Sequence, residues 1–81
     1  MRYLDLKAHI LNLRNVVRTA LYWNQKDRSF NSRVNRKLAV SKEWSEIYNE
    51  LYEYRKFHLP KDTDPLFQIM RDLSDKIGMM R

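Results

Sequence analysis

The stretch Leu4–Trp23, LDLKAHILNLRNVVRTALYW, decides how the rest of the chain is read. Tyr3, Leu6, Ile10, Leu13, Val17 and Ala20 follow one another at steps of three and four, with Leu21 beside the last. That is the period of an α-helix burying one stripe, and it predicts a helix over about 3–24. Lys7, Arg14 and Arg18, at spacings of seven and four, run in a line beside the stripe. The other sides are not purely polar. Val16 and Trp23 lie seven apart and away from the seam, and Leu4, Leu11 and Tyr22 form a further apolar strip. A helix apolar on several sides is buried on several sides. Either two other helices sandwich it, or Val16 and Trp23 are interface residues covered by a second copy of the chain.

Outward from this helix, Asn24–Asn31 (NQKDRSFN) reads as a polar loop, with Ser29 and Ser32 both suited to cap a following helix. A short helix is predicted over about 32–39, where Val34 and Leu38 form an i, i+4 pair amid Arg33, Arg36 and Lys37. A longer helix follows over about 41–58, with Trp44, Ile47, Tyr48, Leu51, Tyr54 and Arg55 on one face. Val34 and Leu38 are out of phase with that face, which predicts a break near Ser41; one long bent helix is the alternative. Leu59-Pro60 closes the segment, because the residue before proline is pushed out of the α region. Lys61–Asp64 reads as a loop. Asp64-Pro65 then reads as a cap followed by proline at the first helical position. The last helix is predicted over about 65–77, burying Leu66, Ile69, Met70, Leu73 and Ile77 and ending at Gly78. Asp72 and Lys76 are placed to pair at i, i+4.

The fold class is therefore all-α: a small bundle of three main helices (about 3–24, 41–58, 65–77) plus a short helix at about 32–39, in a single helical domain over 1–81. Composition agrees. Eighty-one residues suffice for one domain. One Gly, two Pro and no Asn-Gly or Asp-Gly leave little material for β-turns. Ten aromatic residues supply burial that a disordered chain would lack. There is no Cys, hence no disulfide or thiolate site. No apolar run is long enough to span a bilayer, and the early Asp5 breaks any secretory signal pattern. The expectation is a cytoplasmic protein without membrane contact.

Catalysis finds no support in the residues. His9 and His58 fall on different helices, and no Gly-rich phosphate loop is present. His58, Asp62 and Asp64 make an H-x3-D-x-D cluster whose spacing matches no common metal site. Glu46, Glu50 and Glu53 read as a solvated face with Lys42 and Lys56 as local partners. The expectation is no enzyme, no metal and no cofactor.

The charge is informative through its distribution. Of a net +6, residues 1–40 carry nine Lys/Arg against Asp5 and Asp27, while residues 41–81 carry seven against eight acids. Arg14, Arg18, Lys26, Arg28, Arg33, Arg36 and Lys37 are interleaved with Asn24, Gln25, Ser29, Asn31 and Ser32, the mix that phosphate contacts draw on. Tyr22, Trp23 and Phe30 add rings able to stack on bases. A short helix leading into a longer one resembles a helix-turn-helix. The exposed side of Ser41–His58 is mixed or acidic, however, so Asn24–Lys37 is the better contact surface. The function expected is a small basic binding protein that contacts nucleic acid phosphates through the 14–37 surface. The alternative is a protein–protein adaptor or inhibitor that docks on an acidic partner surface and homodimerises through the first helix; interfaces are enriched in Trp, Tyr, Met and Arg.

Overall fold

A computed structural model describes residues 2–80 and consists of three helices, α1 (Tyr3–Lys26), α2 (Phe30–Arg55) and α3 (Pro60–Gly78), with no strand among the described residues. The stripe in α1 is the core seam: Leu6, Ile10, Leu13, Val17 and Ala20 are buried, and Tyr3 and Leu21 pack half-buried against the same cluster. From α2 the core receives Val40, Ile47 and Leu51, with Trp44, Tyr48 and Tyr54 half-buried. From α3 it receives Leu66, Phe67, Met70, Leu73 and Ile77, and Met80 continues that seam past the helix end.

Several boundaries differ from the sequence expectation. The separate short helix at 32–39 and the break at Ser41 do not exist, because α2 runs unbroken from Phe30 to Arg55. The phase slip is real but has another meaning. Val34 and Leu38 are 38% and 63% exposed, so they face away from the core instead of marking a new helix. With no Gly or Pro between 30 and 55, propagation continues at one backbone bond per residue. The helix-turn-helix likeness disappears with the break.

The loop after α1 shrinks to Asp27–Ser29. Ser29 takes the N-cap position of α2, although its hydroxyl makes no cap bond. At the other end of α2 the α-helix stops at Arg55, and the amides of Lys56, Phe57 and His58 each donate three residues back in a tightened final turn.

Lys61–Asp64 is the first turn of α3, not a loop. Pro60 occupies the first helical position, where its missing N–H is no loss. Pro65 therefore sits inside the helix, and Asp64 is no cap. The bond that Pro65 cannot donate would have gone to the carbonyl of Lys61, and both residues are exposed, so water can serve that carbonyl. The buried Thr63 donates its hydroxyl to the Pro60 carbonyl at 3.3 Å. Gly78 is the last helical residue and has no positive φ, so it is not a left-handed C′ residue; Met79 takes the C-cap. Asp72 accepts from Gln68 at 3.1 Å, and no Asp72–Lys76 ion pair is formed among the described residues.

The lengths of the helices shape the molecule. At 1.5 Å per residue α1 and α2 are about 36 and 39 Å long and α3 about 28 Å, within overall extents of 43 × 17 × 16 Å. Running antiparallel to α2, α3 meets it in order. The Arg55 guanidinium lies over the Phe67 ring, and Tyr48 packs edge-on against the same ring at 5.7 Å. The indole Nε1 of Trp44 donates to the Met70 carbonyl at 2.8 Å, and Ile77 borders the same shallow hollow as Ser41 and Trp44. There α3 stops. The first ten residues of α2 and the last turns of α1 continue past it as a two-helix hairpin.

Candidate binding surface at the hairpin end

The Asp27–Ser29 turn is held by one side-chain network. Arg36 Nη1 donates to Asn24 Oδ1 and Nη2 to Asp27 Oδ2, both at 2.6 Å. The other oxygen, Asp27 Oδ1, accepts the backbone N–H of Ser29 at 3.0 Å. The Ser29 amide, and after it the Arg36 guanidinium, hold the Asp27 carboxyl below its ordinary value. Arg36 thus ties α2 to the end of α1 and is drawn inward.

Of the other cations expected to form the surface, Arg18, Lys26, Arg28 and Lys37 are exposed, while Arg14 and Arg33 are half-buried with their Nε atoms covered. Helical register places them. Lys37 is two turns before Trp44 and so faces the space above the end of α3, and Arg33 is one turn further on the same side. On α1, Arg14 and Arg18 lie one turn apart and roughly opposite Val16, Thr19 and Trp23. Lys26 and Arg28 flank the turn itself, with Lys26 Nζ 5.8 Å from the centre of the Tyr22 ring. Asp27 is the one acid between Lys7 and Lys42, and Arg36 already engages it. The exposed cations of the hairpin end therefore have no carboxylate of their own segment left to pair with.

Exposed rings and aliphatics share this end: Tyr22, Trp23 (50% exposed), Phe30 (77%), Val34 and Leu38. Tyr22 and Trp23 pack edge to face at 5.5 Å. Val16 and Trp23, the pair singled out for an interface, line a hollow of about 440 Å³ between α1 and α2, together with Ala20, Arg36, Ala39 and Val40. A second hollow continues it toward the other end, lined by His9, Asn12, Glu43, Glu46 and Glu50. His9, Asn12, Val16, Thr19 and Trp23 are spaced by threes and fours along α1, as are Arg36, Ala39, Glu43, Glu46 and Glu50 along α2. The two hollows are therefore one trough, formed by one face of each helix and lying on the side away from α3.

The remaining candidates separate. His9 Nδ1 lies 3.5 Å from Glu50 Oε2, which pairs α1 with α2 across the trough. His58 is stacked on Tyr54, centroids 3.7 Å apart, with its Nδ1 donating to the Tyr54 carbonyl at 2.8 Å. His58, Asp62 and Asp64 do not assemble, and no group of three His, Asp or Glu able to hold a metal ion occurs among the described residues. No described helix is long and apolar enough to cross a membrane. The Asn24–Asp27–Arg36 network and the trough escaped the sequence reading. A lone Asp nine residues before an Arg, across a tight turn, was the signal for the first. The second needed the true register of α2.

No protein-family model matches this chain, and no curated protein or solved structure matches it either.

Proposed function

We propose that this chain is a small non-enzymatic binding protein that takes nucleic acid phosphates on the basic end of the α1–α2 hairpin. The observation that carries the reading is the set Arg18, Lys26, Arg28 and Lys37, all exposed on a hairpin end whose single acid is already engaged by Arg36. Uncompensated cations on a protruding end suit a polyanion, because each phosphate contact releases condensed counterions. Tyr22 and Phe30, exposed beside them, offer ring faces to unstacked bases. Arg14 and Arg33 support the same surface from behind, whereas Arg36 acts on the turn and not on the ligand.

The test is the salt dependence of binding to labelled duplex and single-stranded oligonucleotides. Four phosphate contacts predict that log K falls against log salt with a slope of about −3 to −4. Binding that hardly changes with salt, or no binding at low salt, removes the reading. An acidic protein surface is the second reading. It is favoured by the exposure of Val34 and Leu38, aliphatic area that neither phosphates nor stacked bases use. Capture of a partner that survives nuclease treatment selects it.

A further inference from the structure

The trough between α1 and α2 changes character along its length. Its middle is largely apolar and built of small residues, Ala20, Ala39 and Val40 beside Thr19. Toward the turn it carries Trp23 and Arg36, whose guanidinium gives two of its five N–H groups to Asn24 and Asp27 and keeps three, and toward the other end Glu43 and Glu46. A face that is largely apolar at its centre, with guanidinium donors on one side and carboxylates on the other, is complementary to itself when turned end for end.

The spacing supports such an axis. Val16 and Trp23 are equidistant from the Thr19–Ala20 peptide link, and Arg36 and Glu43 are equidistant from the Ala39–Val40 link. The two links stand at the same height of the hairpin, because the antiparallel register that sets His9 against Glu50 and Asn24 against Arg36 also sets Ala20 against Ala39 and Val40. We propose that the protein is a homodimer in which two hairpins pack antiparallel, trough to trough, about a two-fold axis through these links. Trp23 of each copy then covers the partner's Val16, and Glu43 of each meets the partner's Arg36. The alanines at the centre let the helices approach closely. Paired helix extends about ten residues to either side along α2, about 30 Å in all, and six or seven along α1, which ends at Lys26, about 20 Å in all; two helices wide this is on the scale of the ~800 Å² per partner of a standard interface. Arg18 and Lys37 stay on the uncovered side, so the dimer stands or falls apart from the nucleic acid reading.

The mass of the full chain in solution tests this. Light scattering is expected to give twice the 10.0 kDa of one chain at micromolar concentration. Glu43→Lys sets a cation against Arg36, and dissociation is expected to become at least tenfold easier with helical content unchanged. The chain has no Cys, so single cysteines report the geometry cleanly. Ala39→Cys lies on the axis beside its own copy and is expected to form an intermolecular disulfide in air. Leu38→Cys, on another face of α2, is not. A one-chain mass at high micromolar concentration overturns the proposal, as does cross-linking of Leu38→Cys in preference to Ala39→Cys. An unchanged dimer in Glu43→Lys also overturns it.

Discussion

Arg36 reaches across the turn between α1 and α2 to Asp27, Nη2 to Oδ2 at 2.6 Å, and so engages the one acid of the hairpin end. This contact makes a pH prediction. Asp27 is held below its ordinary value of 3.8, first by the Ser29 amide and then by Arg36. A depressed carboxyl means that the unfolded chain takes up the proton first as pH falls. The stability gained from the contact is therefore complete above the ordinary value and is lost as pH drops through the lower folded value. Denaturation of the wild type and Asp27→Asn across this range is the measurement. The wild type is expected to be the more stable at neutral pH by a constant margin, and the margin should close on acidification below about pH 4. A margin independent of pH would mean that the carboxylate charge is idle.

The unbroken α2 makes a second prediction at Lys42, an exposed residue whose side chain makes no hydrogen bond or ion pair among those described. Were Ser41 the cap of a new helix, Lys42 would be its first residue and would accept proline at little cost. Inside a continuous helix, proline removes a backbone bond and clashes with the preceding turn, costing about 3 kcal/mol or more. Lys42→Pro is expected to destabilise by that amount in chemical denaturation. A near-neutral result would restore the junction.

Core and surface positions of similar chemistry should separate sharply. Leu13 and Leu51 are fully buried, and truncation of either to Ala is expected to cost about 2–5 kcal/mol, more with Gly, which adds the helix penalty. Leu38 is mostly exposed and projects beyond the end of α3, so Leu38→Ala is expected to change stability by less than about 0.5 kcal/mol. Equal effects at Leu13 and Leu38 would show that the out-of-phase stripe of α2 is covered by something.

These contrasts show what was legible in the residues. The α1 seam, Leu6 to Ala20, was readable because a period of three and four held for about four turns with one side free of charge. The α3 seam was readable for the same reason, and its start was not. Pro60 and Pro65 are both permitted near a helix start, and only packing, with Thr63 buried against the core, chooses the earlier one. In α2 the apolar residues serve two environments. Trp44 to Tyr54 face α1 and α3, while Val34 and Leu38 face outward, so a helix without a break shows two phases. As for the surface, the cations could be counted but not sorted. Arg36 and Lys37 are neighbours in sequence, and a rotation of about 100° per residue sends one into the turn and leaves the other exposed.

That divergence between neighbours gives the prediction that best tests the basic surface. Lys37→Ala and Arg28→Ala remove exposed cations with no ion pair among the described residues, so neither should move the thermal midpoint appreciably. Together they are expected to weaken oligonucleotide binding at low salt and to lower the slope of log K against log salt by about 2. Arg36→Ala is expected to behave in the opposite way. It releases Asn24 and Asp27, loosens the turn and lowers the midpoint. It also frees the Asp27 carboxylate among the remaining cations, so any loss of binding comes with a loss of stability, and Asp27→Asn in the same chain should restore binding but not the midpoint. Sedimentation, thermal melting and a salt titration on these variants separate the two roles. If Arg36→Ala alone flattens the salt slope while leaving the midpoint unchanged, Arg36 is a ligand contact and the network that places it at the turn is not what it does in solution.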